Sequence, residues 1–186
     1  MLLYDARGRG ESGGHENAFG WQWDRDVRGA VDFLEGAGIR HIGLLGLSTG
    51  AEAVVTEAAS DPRVAAVVSD GLQGRTPGDA GNLDFGNRIS IQPAFVVLSA
   101  AIRAVRGEHQ PAPLLELVHR VAASRPLLLI GTESFERQLD RAYVRGTAAQ
   151  LWELPDTAHT QGLARHPAAY ADHVLSVFDD ALQPRR

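Results

Sequence analysis

One stretch, residues 39–58, limits what this chain can fold into more than any other. It opens IRHIGLLG, an apolar run rich in Ile and Leu that reads as a buried strand. It passes through Gly46-Leu47-Ser48-Thr49-Gly50 and continues AEAVVTEAA, a good helix-forming sequence. A strand that becomes a helix over so few residues must turn sharply. The two backbones then come close, and Gly46 and Gly50 leave room where a side chain would clash. Ser48 falls at the apex, in a strained conformation with its hydroxyl turned outward. The amides of Thr49 and the residues after it face the same spot from a helix N-terminus, where partial positive charge favours a developing anion. Without any chemistry, the same serine would serve as an ordinary N-cap.

The totals limit what the chain can be. Its 186 residues suffice for one domain, 1–186, with one core. At 44% hydrophobic and 22% charged it has the composition of a soluble globular protein. A net charge of -5 gives no basic footprint for nucleic acid. With 0 cysteines there is no disulfide, no thiolate nucleophile and no Cys-based zinc site. Met1 leads straight into a strand-like run and then charged residues, unlike a signal peptide, so a cytoplasmic chain is expected. The longest apolar patch, 94–101, is bounded by Pro93 and Arg103 and is too short to span a bilayer, so no membrane segment is expected.

Hydrophobic periodicity places the other elements. Residues 1–4 form a short apolar strand, and the glycine-dense loop 5–14 follows. Residues 19–36 read as one helix with Trp23, Val27, Ala30, Val31 and Leu34 on its buried face. Further strands are expected at 64–69 (VAAVVS), 126–130 (PLLLI) and 149–154 (AQLWEL). Helices are expected at 114–123, 135–145 and 167–182, and 73–86 reads as a loop before an apolar helix that runs beyond Pro93. Apolar strands alternating with helices predict an α/β fold, a mainly parallel sheet with helices on both faces. The segment 72–124 stands between two strands as an insertion, serving either as an apolar lid or as core helices.

The loop Asp5-Ala6-Arg7-Gly8-Arg9-Gly10-Glu11-Ser12 fits a D-x-R-G-x-G-x-S pattern. Together with the Gly46–Gly50 turn, it makes the chain resemble the α/β-hydrolases. A phosphate-binding reading of that loop fails, because no Lys-Ser or Lys-Thr pair follows. The resemblance implies that Ser48 is a nucleophile and that the Thr49 (or Ala51) backbone amide is an oxyanion-hole donor. It implies that His159, in the Pro155-Asp156-Thr157-Ala158-His159 loop after the last strand, is the general base. The acid that orients the imidazole should follow the PLLLI strand, where the usual Asp is missing. Glu136 is favoured there, with Glu133 beside it and Asp70, after an earlier strand, as alternatives. The function implied is hydrolysis of a carboxylic ester or related small-molecule acyl substrate through an acyl-enzyme, with neither cofactor nor metal.

The pattern departs from the family at its start, because the chain begins at the strand just before Asp5. Strands that precede this loop in the family would be missing. One of them carries the second oxyanion donor. An exposed apolar sheet edge is therefore expected. A second copy of the chain or a preceding segment would complete that edge. The alternative to a hydrolase is a non-catalytic module that associates through it.

Overall fold

The computed structural model describes residues 1–15 and 18–182. Four strands, β1 (Ile42–Leu47), β2 (Val64–Asp70), β3 (Leu127–Gly131) and β4 (Gln150–Glu153), form one sheet in the order β1-β2-β3-β4. Every pairing is parallel. Each strand lies beside its sequence neighbour, so the chain crosses over between strands through helices.

Side-chain alternation divides the core in two. On one face Val67, Leu127 and Leu129 pack with Val54, Val55 and Ala58 of helix α2 (Thr49–Ala58) and with Leu117, Val118 and Val121 of α5 (Leu114–Ala122). Val27 and Val31 of α1 (Asp24–Gly36) and Leu139 and Tyr143 of α6 (Ser134–Val144) complete that cluster. On the other face Ala66, Val68, Leu128 and Ile130 pack against Tyr170 and Val177 of α8 (Pro167–Leu182). The sheet is thus parallel with helices on both faces, because nearly every residue of β2 and β3 is buried.

Five details differ from the sequence reading. Residues 1–4 form no strand: among the described residues no neighbour pairs with them, and Met1 and Leu3 are exposed. The helix expected over 19–36 is broken, because Phe19 (φ 56°) and Gly20 (φ 71°) take left-handed conformations. A short 3-10 turn, Ala18–Gly20, therefore precedes α1. The loop expected over 73–86 contains α3 (Pro77–Ala80), which starts in a capping box between Thr76 and Asp79. Helix α4 (Phe85–Arg106) starts earlier than expected and runs through Pro93. Pro93 is exposed, so the helical bond it removes is lost on the water side. A further short helix, α7 (Gly162–Arg165), joins the His159 loop to α8. Of the insertion between β2 and β3, α5 belongs to the core, whereas most of α4 is exposed.

Candidate active site

The candidate residues gather at the C-terminal edge of the sheet, where open α/β sheets bind ligands. Ser48 ends β1 and begins α2 with φ 54° and ψ -123°. Its amide donates to the Asp70 carbonyl at 2.8 Å, which extends the β1–β2 ladder into the turn. Gly46 is required by this turn: a Cβ there would lie 2.2 Å from the Gly50 carbonyl oxygen. Ser48 makes no side-chain capping bond to α2. Its hydroxyl lies instead 2.9 Å from His159 Nε2.

His159 comes from the loop after β4, and Thr160 beside it also has positive φ (56°). The ring is part-buried, with 28% of its side chain exposed. Its Nδ1 contacts Glu136 Oε1. With the ring proton on Nδ1, that nitrogen donates to Glu136 and Nε2 accepts the Ser48 hydroxyl. The ring packs over Gly71, where a Cβ would stand 2.7 Å from His159 Cε1 and 3.0 Å from Nδ1. Gly71 also has φ 79°, so conformation and close approach both exclude a side chain.

Glu136 is fully buried in the first turn of α6. Its Oε2 accepts from Thr132 Oγ1 at 2.6 Å, the Thr132 amide at 3.0 Å and the Glu133 amide at 3.2 Å. Its Oε1 accepts from Gln73 Nε2 at 3.1 Å as well as facing the imidazole. Burial alone would push this carboxyl upward. The bonds from Thr132, Gln73 and the two amides outweigh it and hold the group below the usual carboxylate range.

Of the three acids considered, the structure brings only Glu136 to His159. Glu133 is exposed and serves as N-cap of α6, its side chain accepting the Glu136 amide. Asp70 is buried, and its Oδ2 accepts the Tyr170 hydroxyl at 2.9 Å. Burial raises its pKa, the Tyr170 bond lowers it in part and the nearby Glu136 charge raises it again. Asp70 alternates toward α8 with Ala66 and Val68, which is why it misses the imidazole. Of the two amides weighed as anion donors, that of Ala51 is already bonded to the Ser48 carbonyl at 2.9 Å. The Thr49 amide, first in α2, has no acceptor within the helix.

Sequence reasoning missed Gln73, Thr132 and Gly71. Thr132 carried a signal, since a hydroxyl before E-S-F-E suggests a helix start that could collect a carboxylate. Gln73 carried none, being brought in from a loop 63 residues away in sequence. Clefts of about 520 Å³ beside Leu2, Tyr4 and Phe33, and of about 590 Å³ beside Gly78, Pro113 and His119, lie away from Ser48. No group of three or more His, Cys, Asp or Glu side chains placed to hold a metal occurs among the described residues. The arrangement as it stands can pass a proton from a hydroxyl to an imidazole whose far nitrogen faces a buried carboxylate.

No family model matches the chain, and no curated protein matches it. Solved structures do. The Pyrococcus furiosus esterase Pf2001 superposes with a TM-score of 0.67 at 17% identity, over 96% of this chain and 69% of that one. The α/β-hydrolase GrgF from Penicillium sp. sh18 gives 0.68 at 15% identity, over 97% of this chain and 79% of that one. Est816, an N-acyl homoserine lactone degrading enzyme, gives 0.60 at 13% identity, over 92% and 80%. At such identities the likeness speaks to architecture, and the architecture of this chain is the α/β-hydrolase fold.

Proposed function

We propose that this chain is a serine hydrolase that cleaves a carboxylic ester or related acyl bond of a small molecule. The observation that carries the reading is the 2.9 Å approach of Ser48 Oγ to His159 Nε2, with Glu136 against the opposite ring nitrogen. Ser48 would attack the carbonyl carbon while its proton passes to His159 Nε2. Glu136, ionised and hydrogen-bonded in place, would stabilise the imidazolium without taking its proton. The Thr49 amide would donate to the tetrahedral oxyanion. His159 would then return the proton to the leaving oxygen, and water would release the acyl group from Ser48. The esterase and hydrolase neighbours favour this class of reaction over other uses of the fold. As α5 is part of the core, any cap over the site is reduced to α3 and α4.

The test is labelling by a fluorophosphonate probe together with hydrolysis of a p-nitrophenyl ester. Both should vanish in Ser48→Ala and His159→Ala, with kcat falling by roughly 10⁴- to 10⁶-fold. A folded wild-type chain that neither labels nor turns over would overturn the proposal. One observation favours a second reading, association through the sheet edge. β1 is the edge strand, and its Leu45 and Leu47 are 42% and 48% exposed. Pairing of β1 with a second copy would appear as a dimer in sedimentation velocity, lost in Leu45→Lys.

A further inference from the structure

Glu136 Oε1 has two donors on it, and only one of them is the base. His159 Nδ1 is the first. The second is Gln73 Nε2, at 3.1 Å from Oε1 and 3.4 Å from Nδ1. The carboxylate orients this amide: an ionised Glu136 only accepts, so the NH2 group of Gln73 turns toward it and the carbonyl oxygen turns away. The ring and Gln73 therefore share one oxygen. Oε2 cannot relieve the sharing, because Thr132 and Glu133 already occupy it.

Gln73 stands between two positions that packing and backbone hold in place. On one side Leu72 is fully buried in the larger core cluster, next to Gly71 at φ 79°. On the other, Gly74 has φ 91°, and a Cβ there would lie 3.0 Å from Asp79 Cβ. The Arg75 amide then donates to Asp79 Oδ2 at 3.1 Å, and Asp79 is itself buried. A fixed stretch of backbone thus presents the amide to the carboxylate.

A donor on Oε1 draws off part of its negative charge. Less of that charge is left to stabilise an imidazolium at Nδ1, and the N–H dipole of Gln73 beside the ring acts in the same direction. The neutral ring, the form that can take the Ser48 proton, is favoured. The other ionisable groups around the pair are Asp70 at the end of β2, Asp140 one turn further along α6, Arg137, which donates to the Thr132 carbonyl, and Glu153 of β4, paired with Arg141. Burial pushes both aspartates up. All of these stay in place when Gln73 alone is changed, so their contributions cancel between wild type and variant.

Building on the hydrolase reading, we propose that Gln73 is a positioning residue that sets how far into acid the site works: by sharing Glu136 Oε1 with His159, it keeps the base unprotonated to lower pH than Glu136 alone would allow. The experiment is p-nitrophenyl acetate hydrolysis by the full chain from about pH 5 to about pH 9, with wild type, Gln73→Met and Gln73→Glu. Methionine keeps the length of the side chain and removes the donor. Its acid limb of kcat/KM should move up by about 0.5–1 pH unit, a roughly three- to tenfold loss on the acid side that closes toward the alkaline plateau. Gln73→Glu, which sets a second carboxylate on the pair, should move the limb further the same way. A merely structural role would lower the rate equally at every pH. Thermal melts show that each variant folds. In a Ser48→Ala chain, NMR titration of the His159 ring, its signal identified by its absence in His159→Gln, should move the same way on Gln73→Met without any turnover. The two readings therefore fail separately. A folded wild type that neither labels nor hydrolyses ends the hydrolase reading. An acid limb or a ring titration that stays put on Gln73→Met, or a rate loss independent of pH, overturns the role given to Gln73.

Discussion

Ser48 is held at φ 54° and ψ -123°, a conformation that residues with a Cβ avoid. Such a position costs about 1–3 kcal/mol, which the surrounding structure must supply. Comparing Ser48→Gly with Ser48→Ala isolates that strain. Both variants lose the hydroxyl and its bond to His159, so this term cancels. Neither loses a helix cap, because the Ser48 side chain makes none. Alanine keeps its Cβ and therefore the strain. Glycine relieves it, and gives back about 0.5–1 kcal/mol through the greater freedom of the unfolded chain. Ser48→Gly should therefore be more stable than Ser48→Ala by about 1 kcal/mol. For a chain of this size that difference raises Tm by about 2–4 °C. Thermal and urea melts followed by circular dichroism measure it directly. An alanine variant as stable as the glycine variant would show that the turn stores no strain and that Ser48 is an ordinary helix start.

Gly71→Ala should displace the His159 ring, because the new Cβ would lie 2.7 Å from Cε1. A shift of about 1 Å at a reacting group costs on the order of a hundredfold in kcat/KM; full ester hydrolysis by a folded Gly71→Ala chain would refute the packing described. Gly46→Ala should fail more broadly, since its Cβ would meet backbone rather than a side chain, and soluble expression with a native melt would contradict the tight turn. Glu136 has a depressed pKa, so its stabilising contribution is present above the unfolded value of about 4.3 and lost as pH falls through the folded one. The Tm deficit of Glu136→Gln should accordingly be largest near neutrality and shrink in acid, and a deficit independent of pH would argue against an ionised Glu136. Glu52 has the opposite sign: burial pushes its carboxyl up to about 7, with Arg75 offsetting part of the rise and Asp79 adding to it. The wild type should lose stability as pH rises from about 4.3 towards 7, and Glu52→Gln should flatten that slope in melts taken across the range.

The parts of this fold that were legible in the sequence are those set by local pattern. The strands β1 to β3 are apolar runs bounded by turn residues, β4 is a short mixed run around Leu151 and Trp152, and α1, α5, α6 and α8 carry a stripe at helical spacing. Residues 1–4 show where pattern stops. They are as apolar as β1, but a strand exists only where another pairs with it, and no local signal reports that partner. Phe19 likewise reads as a helix former, yet it sits at φ 56° and separates the turn at Ala18–Gly20 from α1. At the site, Ser48 and His159 were legible because each follows a strand in a compact turn. The acid was narrowed to three with Glu136 favoured, but was not fixed, because Glu133, Glu136 and Asp70 all lie at or just beyond strand ends and differ in direction. Direction depends on strand parity for Asp70 and on helix phase for the two glutamates, and both follow from packing.

On the proposed reading, the location of Glu136 lets a glutamate take the place of the aspartate that the loop does not offer. Glu136 lies three residues into the helix that follows β3, at the position that completes a capping box with Glu133. Its Oε2 accepts three N–H and O–H groups from Thr132 and Glu133 that would otherwise be stranded at the helix start. Those bonds fix the carboxylate plane and leave Oε1 directed at Gln73 and His159. The longer side chain is needed because the carboxylate must fold back from the first turn of α6 toward Thr132 while still reaching the imidazole. The bonds that begin the helix are thus the ones that aim the acid. Removing Glu136 would loosen α6 and disorient His159 together, whereas removing Glu133, whose carboxylate only caps, would weaken the helix and leave the ring where it is.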